Sequence, residues 1–215
     1  MAKISVKRSA QSQNDRIAQQ NRRLFRKSGL FVMNIIGSPG CGKTSILEYT
    51  ARHCEGRFAV IVGDVKTALD ADRILSLDIT AVPIETGGGC HLSAQMIKDV
   101  LPKLDLDSLD FLFIENVGNL VCPSTFDIGE DVKVGVLSVP EGDEKVRKYP
   151  ALFLRTEVVF INKIDLLPHC PYDIARVRQD CRKARASVKV FEVSAKDGTG
   201  FEPWLEFLRQ HRQRC

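Results

Sequence analysis

The sequence predicts an α/β fold, a three-layer sandwich with a mainly parallel sheet between helices and an N-terminal helical extension. Three observations carry this. Seven short apolar runs alternate with helix-like stretches, the pattern of strands buried on both faces. The first run, Leu30–Ile36, passes through glycine-rich Gly37–Thr44 into a helix-like stretch, Ser45–Cys54. The 215 residues suffice for one α/β domain with a good core, and no apolar stretch approaches the ~20 residues that cross a bilayer.

Residues 1–29 form the first unit. Lys3, Lys7, Arg8, Arg16, Arg22, Arg23, Arg26 and Lys27 stand there against Asp15 alone. Ile17, Leu24 and Phe25 fall roughly on one face, so a basic helix packed by one weak stripe is expected. A partner- or membrane-surface role is an alternative, and so is an organelle presequence, because the segment is Arg-rich and acid-poor. Residues 30–215 form the second unit. Strands are expected at Leu30–Ile36, Phe58–Val62, Val82–Glu85, Phe111–Ile114, Val132–Val139, Glu157–Asn162 and Val188–Val193. Helices are expected at Thr44–His53, Ala68–Leu77, His91–Leu101, Tyr172–Ala186 and Phe201–Gln210. Ligands of such a sheet collect at the carboxyl ends of its strands.

The net charge of +4 comes from the N-terminal segment, since the remainder holds 23 basic and 26 acidic residues. That mildly acidic balance argues against a nucleic-acid partner. The absence of a secretory apolar segment leads to an expected cytoplasmic location. Seven cysteines, an odd number without a regular framework, favour reduced thiols, some of them ligands.

Gly37-Ser38-Pro39-Gly40-Cys41-Gly42-Lys43-Thr44 is G-x-x-x-x-G-K-[ST] in strand–loop–helix context. Sharp turns at Gly37, Gly40 and Gly42 present successive N–H groups to a polyphosphate, and the helix opening at Ser45 adds its positive end. Lys43 reaches the β and γ phosphates, and Thr44 offers a hydroxyl to Mg²⁺. Further along, Asn162-Lys163-Ile164-Asp165 follows an apolar strand. Asp165 can accept both guanine donors, N1–H and N2–H₂, which adenine lacks, so the pattern selects GTP and GDP. Ser194-Ala195-Lys196 resembles the element that backs the guanine with main chain. Together the three motifs specify a guanine-nucleotide site.

Two carboxylates are candidates for Mg²⁺ or the attacking water. Glu115 ends the strand before Asn116-Val117-Gly118, an E-x-x-G where D-x-x-G is common, and Gly118 is placed to sense the γ-phosphate. Asp64 ends the second strand; its bland alternative is a helix N-cap. Asn119 stands where a water-orienting Gln often does. Without that Gln or an arginine finger, turnover is expected to be slow, ~10⁻⁴ to 10⁻² s⁻¹.

Gly87-Gly88-Gly89-Cys90-His91 brings a thiol and an imidazole to an expected helix start, where the thiol pKa falls. Two ligands are too few for a tight Zn²⁺ or Ni²⁺ site. Cys122 is the candidate third, on the segment that moves with the γ-phosphate, and two copies meeting in a dimer would complete the shell. The alternative is that these cysteines are small buried hydrophobes; His53-Cys54 and His169-Cys170 are similar pairs.

The chain resembles the hydrogenase nickel-incorporation GTPase (HypB) family. The resemblance is carried by Gly37–Thr44, Gly63–Asp70, Gly89–Leu92, Glu115–Pro123, Glu141–Lys145 and Asn162–Leu167. It implies the P-loop NTPase sandwich and a homodimer formed with nucleotide. It also implies Ni²⁺ or Zn²⁺ at Cys90, His91 and Cys122, and nickel loading into [NiFe]-hydrogenase with hydrogenase maturation proteins and the large subunit as partners. Some relatives carry an N-terminal Cys-rich motif or a His-rich tract. Here the first cysteine is Cys41 and only four histidines occur, so neither nickel capture by such a motif nor bulk storage is expected. Cys41 replaces the commoner Ser, and its thiol is a candidate for oxidation. Two other functions compete: a nucleotide-gated docking scaffold with structural cysteines, and a GTPase that inserts another metal or cofactor.

Overall fold

The computed structural model describes residues 2–63 and 79–212, with side chains from residue 11 onward. Seven strands form one sheet: β1 Phe31–Gly37, β2 Phe58–Gly63, β3 Thr80–Ile84, β4 Phe111–Glu115, β5 Val132–Ser138, β6 Val158–Asn162 and β7 Lys189–Glu192. Their order is β3-β2-β4-β1-β5-β6-β7, and every neighbouring pair is parallel. Each of the seven expected strands has its counterpart. The ends differ by one or two residues, as hydrogen-bond ladders and apolar runs need not stop together. Pro83 has no N–H to give, and β3 lies at the sheet edge where none is needed.

The helices are α1 Ala2–Lys27, α2 Lys43–His53, α3 Ala94–Val100, α4 Cys122–Thr125, α5 Lys145–Lys148, α6 Pro150–Phe153, α7 Ile174–Ala184 and α8 Glu202–Arg212. Three short ones, α4 to α6, were too brief to leave a helical period in the sequence. The helix expected over Ala68–Leu77 lies outside the described residues. The helix expected from His91 begins at Ala94 instead, because Ser93 caps it by accepting from Met96 N. Asp173 does the same for α7 through Arg176 N.

Alternating residues of the strands serve opposite faces of the sheet. Met33, Ile35 and Phe113 enter one core with Leu47 and Trp204. Val32, Leu112 and Ile114 enter a second, where Phe25 of α1 packs with Ile97 of α3, while Ile36 and Ile161 lead a third that takes in Val177 of α7. The register aligns the carboxyl ends: Ile35 pairs with Glu115, Gly37 with Val136, and Ser138 with Asn162. Central β1 therefore delivers its glycine loop between the ends of β4 and β5.

α1 packs differently from its expected stripe. Ala18 and Phe25 are buried, but so are Asn14 and Asn21, while Leu24 faces outward. Its docking face combines Ala18 and Phe25 with two buried amides.

Candidate functional site

The glycine loop wraps the N-terminus of α2. Gly40 and Gly42 hold φ of +76° and +96°, the left-handed region open to glycine. A Cβ on Gly37 would stand 2.5 Å from Cys41 Sγ and one on Gly42 2.2 Å from Asn162 Nδ2, so both positions exclude side chains. Lys43 Nζ lies 3.4 Å from Gly37 O and 3.5 Å from Ser38 O, across the loop's mouth. The Cys41 thiol is fully buried, and burial pushes its pKa up to about 11. The oxidation expected of it is therefore corrected: a neutral, inaccessible thiol is a poor nucleophile.

Asn162 ties the three sequence motifs together. Its Nδ2 donates to Cys41 O at 3.0 Å, and its Oδ1 accepts from Lys163 N at 2.8 Å and Ala195 N at 3.2 Å. Lys163 takes φ +63° and sends Nζ to Gly40 O at 2.7 Å. Asp165 follows in the 3-10 turn Ile164–His169 and is half-buried; Ser194 is buried and Lys196 exposed. Asn162 thus clips the base-side turn and the Ser194–Lys196 turn onto the phosphate loop.

At the position expected for the cation, Thr44 Oγ1 donates toward both Glu115 oxygens, at 2.9 and 3.1 Å. Glu115 is only 7% exposed. A hydroxyl and a carboxylate facing each other are a hard-oxygen set that fits Mg²⁺. Asp64, the other candidate carboxylate, lies outside the described residues. Lys145, to which the sequence attached no role, reaches this edge too: its Nζ is 3.4 Å from Ser38 Oγ and 3.4 Å from Glu141 Oε1.

The segment after Glu115 contacts the phosphate loop and the Cys-His loop at once. A Cβ on Gly118 would sit 2.8 Å from Pro39 Cγ. Asn116 Oδ1 accepts from Leu92 N and Val117 N, both at 3.0 Å. Asn119 Nδ2 donates to Cys90 O at 3.2 Å while its Oδ1 accepts from Val121 N at 2.8 Å. Asn119 therefore braces the Cys-His loop. A cavity of about 240 Å³ separates the parts, walled by Pro39, Gly88, Cys90, Val117, Gly118 and Asn119.

Cys90, His91 and Cys122 are close but not closed into a shell. The neighbouring Cys122 thiol pushes the Cys90 pKa up, with a smaller push from desolvation. Cys90 Sγ and His91 Nδ1 are 3.5 Å apart. Among the described residues, no three His, Cys, Asp or Glu side chains are gathered as a set that could hold a metal ion. The helix-start argument for a lowered Cys90 pKa is also corrected, since α3 starts four residues later. His91 stacks on Phe126 with ring centroids 3.8 Å apart, and burial lowers its pKa, favouring the neutral imidazole that binds metals. Cys54 and Cys170, the other cysteines with a His neighbour, are half-buried, and burial raises the Cys54 pKa.

A buried polar row runs beneath this loop pair. Asn116 Nδ2 donates to Asn34 Oδ1 at 3.0 Å, and Asn34 Nδ2 to Glu130 Oε1 at 3.3 Å. Lys133 pairs with Glu130 and donates to Phe126 O at 2.8 Å. Asn34 leaves no trace in a hydrophobic pattern, and Asn116 stands out in the sequence only as part of Glu115–Gly118.

Residues 31–192 match the nucleotide-binding domain described as CobW/HypB/UreG. The chain is 42% identical over 214 residues to hydrogenase maturation factor HypB of Escherichia coli K12, covering 99% of this chain and 73% of that protein. It is 38% identical over 205 residues to the hydrogenase/urease maturation factor HypB of Helicobacter hepaticus, covering 94% and 85%. The crystal structure of Helicobacter pylori HypB in complex with nickel superposes with TM-score 0.88 at 40% identity, over 94% of this chain and 95% of that one. HypB of Archaeoglobus fulgidus superposes with TM-score 0.87 at 38% identity, over 94% and 99%.

Proposed function

The chain belongs to the CobW/HypB/UreG nucleotide-binding family, and from that premise we propose that it is a GTP-hydrolysing metallochaperone. In this reading Cys90, His91 and Cys122 hold nickel or zinc, and the protein assists nickel insertion into a [NiFe]-hydrogenase together with hydrogenase maturation proteins. Residues 30–215 form the unit that carries both sites, and residues 1–29 are an N-terminal extension. The observation that carries the reading is that one segment touches both sites: its Gly118 abuts Pro39 of the phosphate loop, its Asn119 donates to Cys90 O, and Cys122 follows three residues on. Similarity to a nickel-bound HypB supports the choice of metal.

Each residue then has a task. The loop amides and Lys43 cradle the phosphates. Thr44 and Glu115 would hold Mg²⁺, which when bound neutralises charge on the β and γ phosphates. Asp165 selects guanine, backed by the turn that Asn162 fixes. Because Asn119 is engaged with Cys90 O and Val121 N, a water-orienting amide is not at hand, in keeping with slow turnover. A γ-phosphate drawing on Gly118 would shift Asn119 and Cys122, and so alter the ligand shell.

The incomplete shell of one chain fits a homodimer in which two copies of Cys90, His91 and Cys122 meet. It is also what the rival docking scaffold would show. Nickel titration of the native chain, Cys90→Ala and Cys122→Ala, with sedimentation at each point, separates them. Loss of nickel in both variants with GTP binding intact is expected. Full nickel binding by both variants would sink the metallochaperone.

A further inference from the structure

α1 grips the two chain segments that carry the ion ligands. Asn14 Oδ1 accepts from Ala94 N at 2.9 Å, three residues past His91, and Asn14 Nδ2 donates to Asp127 O at 2.7 Å, one residue past Phe126. Two turns along α1, Asn21 Nδ2 donates to Ala94 O at 2.9 Å and to Ile128 O at 3.1 Å. Each amide thus bridges the same two segments. Between them sits Ala18, fully buried, and Gly129 packs so closely that a Cβ there would meet Asn21 Cβ at 2.8 Å and Ala18 O at 2.9 Å. Arg22 adds bonds to Asp127 Oδ1 and Glu130 O. The stacked rings of His91 and Phe126 close the circuit on the far side.

We propose that Asn14 and Asn21 are positioning residues of the ion site: by fixing Ala94 against Asp127 and Ile128, α1 sets how closely Cys90 and His91 approach Cys122. The inference rests on the metallochaperone reading for its consequence. Its physical basis is the cost of orphaning a buried backbone group, which keeps both bridges made while α1 is docked. An apolar stripe would dock a helix with latitude, whereas two bridging amides fix distance and direction. Supporting shells of this kind govern metal affinity without touching the metal.

Three variants loosen the grip in different ways. Asn21→Ala removes one bridge. Asn14→Asp keeps the acceptor for Ala94 N and loses the donor to Asp127 O. Gly129→Ala, at φ +101°, pushes α1 away while leaving both asparagines in place. The readouts are Ni²⁺ affinity, the thiolate-to-nickel charge-transfer absorption, GTP-analogue affinity, and the yield of a short bis-maleimide bridge between Cys90 and Cys122 in metal-free protein. Asn21→Ala and Gly129→Ala are expected to weaken nickel binding about tenfold or more, as supporting-shell changes do. They should also alter the absorption band and lower the bridge yield, with GTP-analogue affinity unchanged; Asn14→Asp should fall between them and the native chain. Native nickel affinity, spectrum and bridge yield in all three would overturn the inference. Should the native chain itself bind no nickel, the metallochaperone reading fails instead, and an unchanged bridge yield in the variants would overturn the positioning role as well. If one variant does not fold, as circular dichroism would show, the other two decide the matter by the same readouts.

Discussion

At the scale of single residues, the nucleotide assignment turns on side chains that have one job each. Asp165→Asn replaces an acceptor of two guanine donors by a group with only one acceptor atom. Preference should move from GTP toward xanthosine triphosphate by several orders of magnitude, as sites built on paired polar groups discriminate by ~10⁴-fold or more. Competition binding with the two triphosphates reads this directly; unchanged GTP preference would remove Asp165 from the base pocket. Gly42→Ala tests the clip. The new Cβ would stand 2.2 Å from Asn162 Nδ2 at a φ of +96°, so the Asn162–Cys41 O bond must break. Left-handed strain costs roughly 1–2 kcal/mol and the lost bond about 1, so denaturant unfolding should show a stability loss of about 2–3 kcal/mol, with weaker GTP binding as the loop leaves its place. The motifs that we assign to phosphates, base and cation stand out in the sequence because each requires residue types that little else explains. Asn162 was legible as a member of Asn162–Asp165, but its bonds to Cys41 O and Ala195 N join segments far apart in the chain. Lys145 and Asn119 were equally opaque as to role: only folding reveals that one meets Ser38 and the other Cys90.

At the scale of elements, the sheet could be read almost strand by strand, since strands covered on both faces are written as apolar runs. The helices were less legible where polar contacts set their limits. Ser93 and Asp173 move helix starts by capping, and of the stripe Ile17, Leu24 and Phe25 expected on α1 only Phe25 is fully buried, with Asn14 and Asn21 beside it. The α1 anchor has a pH signature. Burial alone would raise the Asp127 pKa, but hydrogen bonds from Arg22 and Gly129 N outweigh it and hold the carboxyl below its ordinary value. Glu130 and Asp131 add to the field that Arg22 feels. A carboxyl depressed on folding contributes stability that is present above its unfolded pKa of about 4 and is lost as pH falls through the folded value. Protection of α1 amides against hydrogen exchange, relative to their intrinsic rates at each pH, should therefore fall below about pH 4. In Arg22→Ala that acid limb should shrink, with a loss of about 1 kcal/mol at neutral pH, the upper range for a pair this accessible to water. An acid limb of the same size in Arg22→Ala would assign the effect to other carboxylates.

At the scale of the whole molecule, the sheet order decides which parts can communicate. β1 is the middle strand of seven, with β4 on one side and β5 on the other, so the phosphate loop and the segment leaving Glu115 share one edge. That segment has little room to move independently: Gly118 rests on Pro39, Asn116 holds Leu92 N, Asn119 holds Cys90 O, and Cys122 meets Cys90. A nucleotide that draws Gly118 toward a γ-phosphate must reposition the thiols or break those bonds, and either outcome changes the free energy of a bound metal. Linkage then makes the effect reciprocal. If nickel binds the GTP-analogue form and the GDP form with affinities differing by a factor, the two nucleotides must respond to nickel by the same factor, typically ~5–150-fold, or about 1–3 kcal/mol. Four titrations close the cycle: nickel with each nucleotide bound, and each nucleotide with and without nickel. We expect a factor inside that range, equal in both directions, shrinking to near unity in Cys122→Ala, because that variant removes the thiol that we propose as the ligand on this segment. Equal nickel affinities in the two nucleotide states of the native chain would mean that the shared segment transmits nothing, whatever the metal site's composition. A factor surviving in Cys122→Ala would reroute the coupling through Asn116 and Asn119, the two other holds this segment has on the Cys90–Leu92 loop.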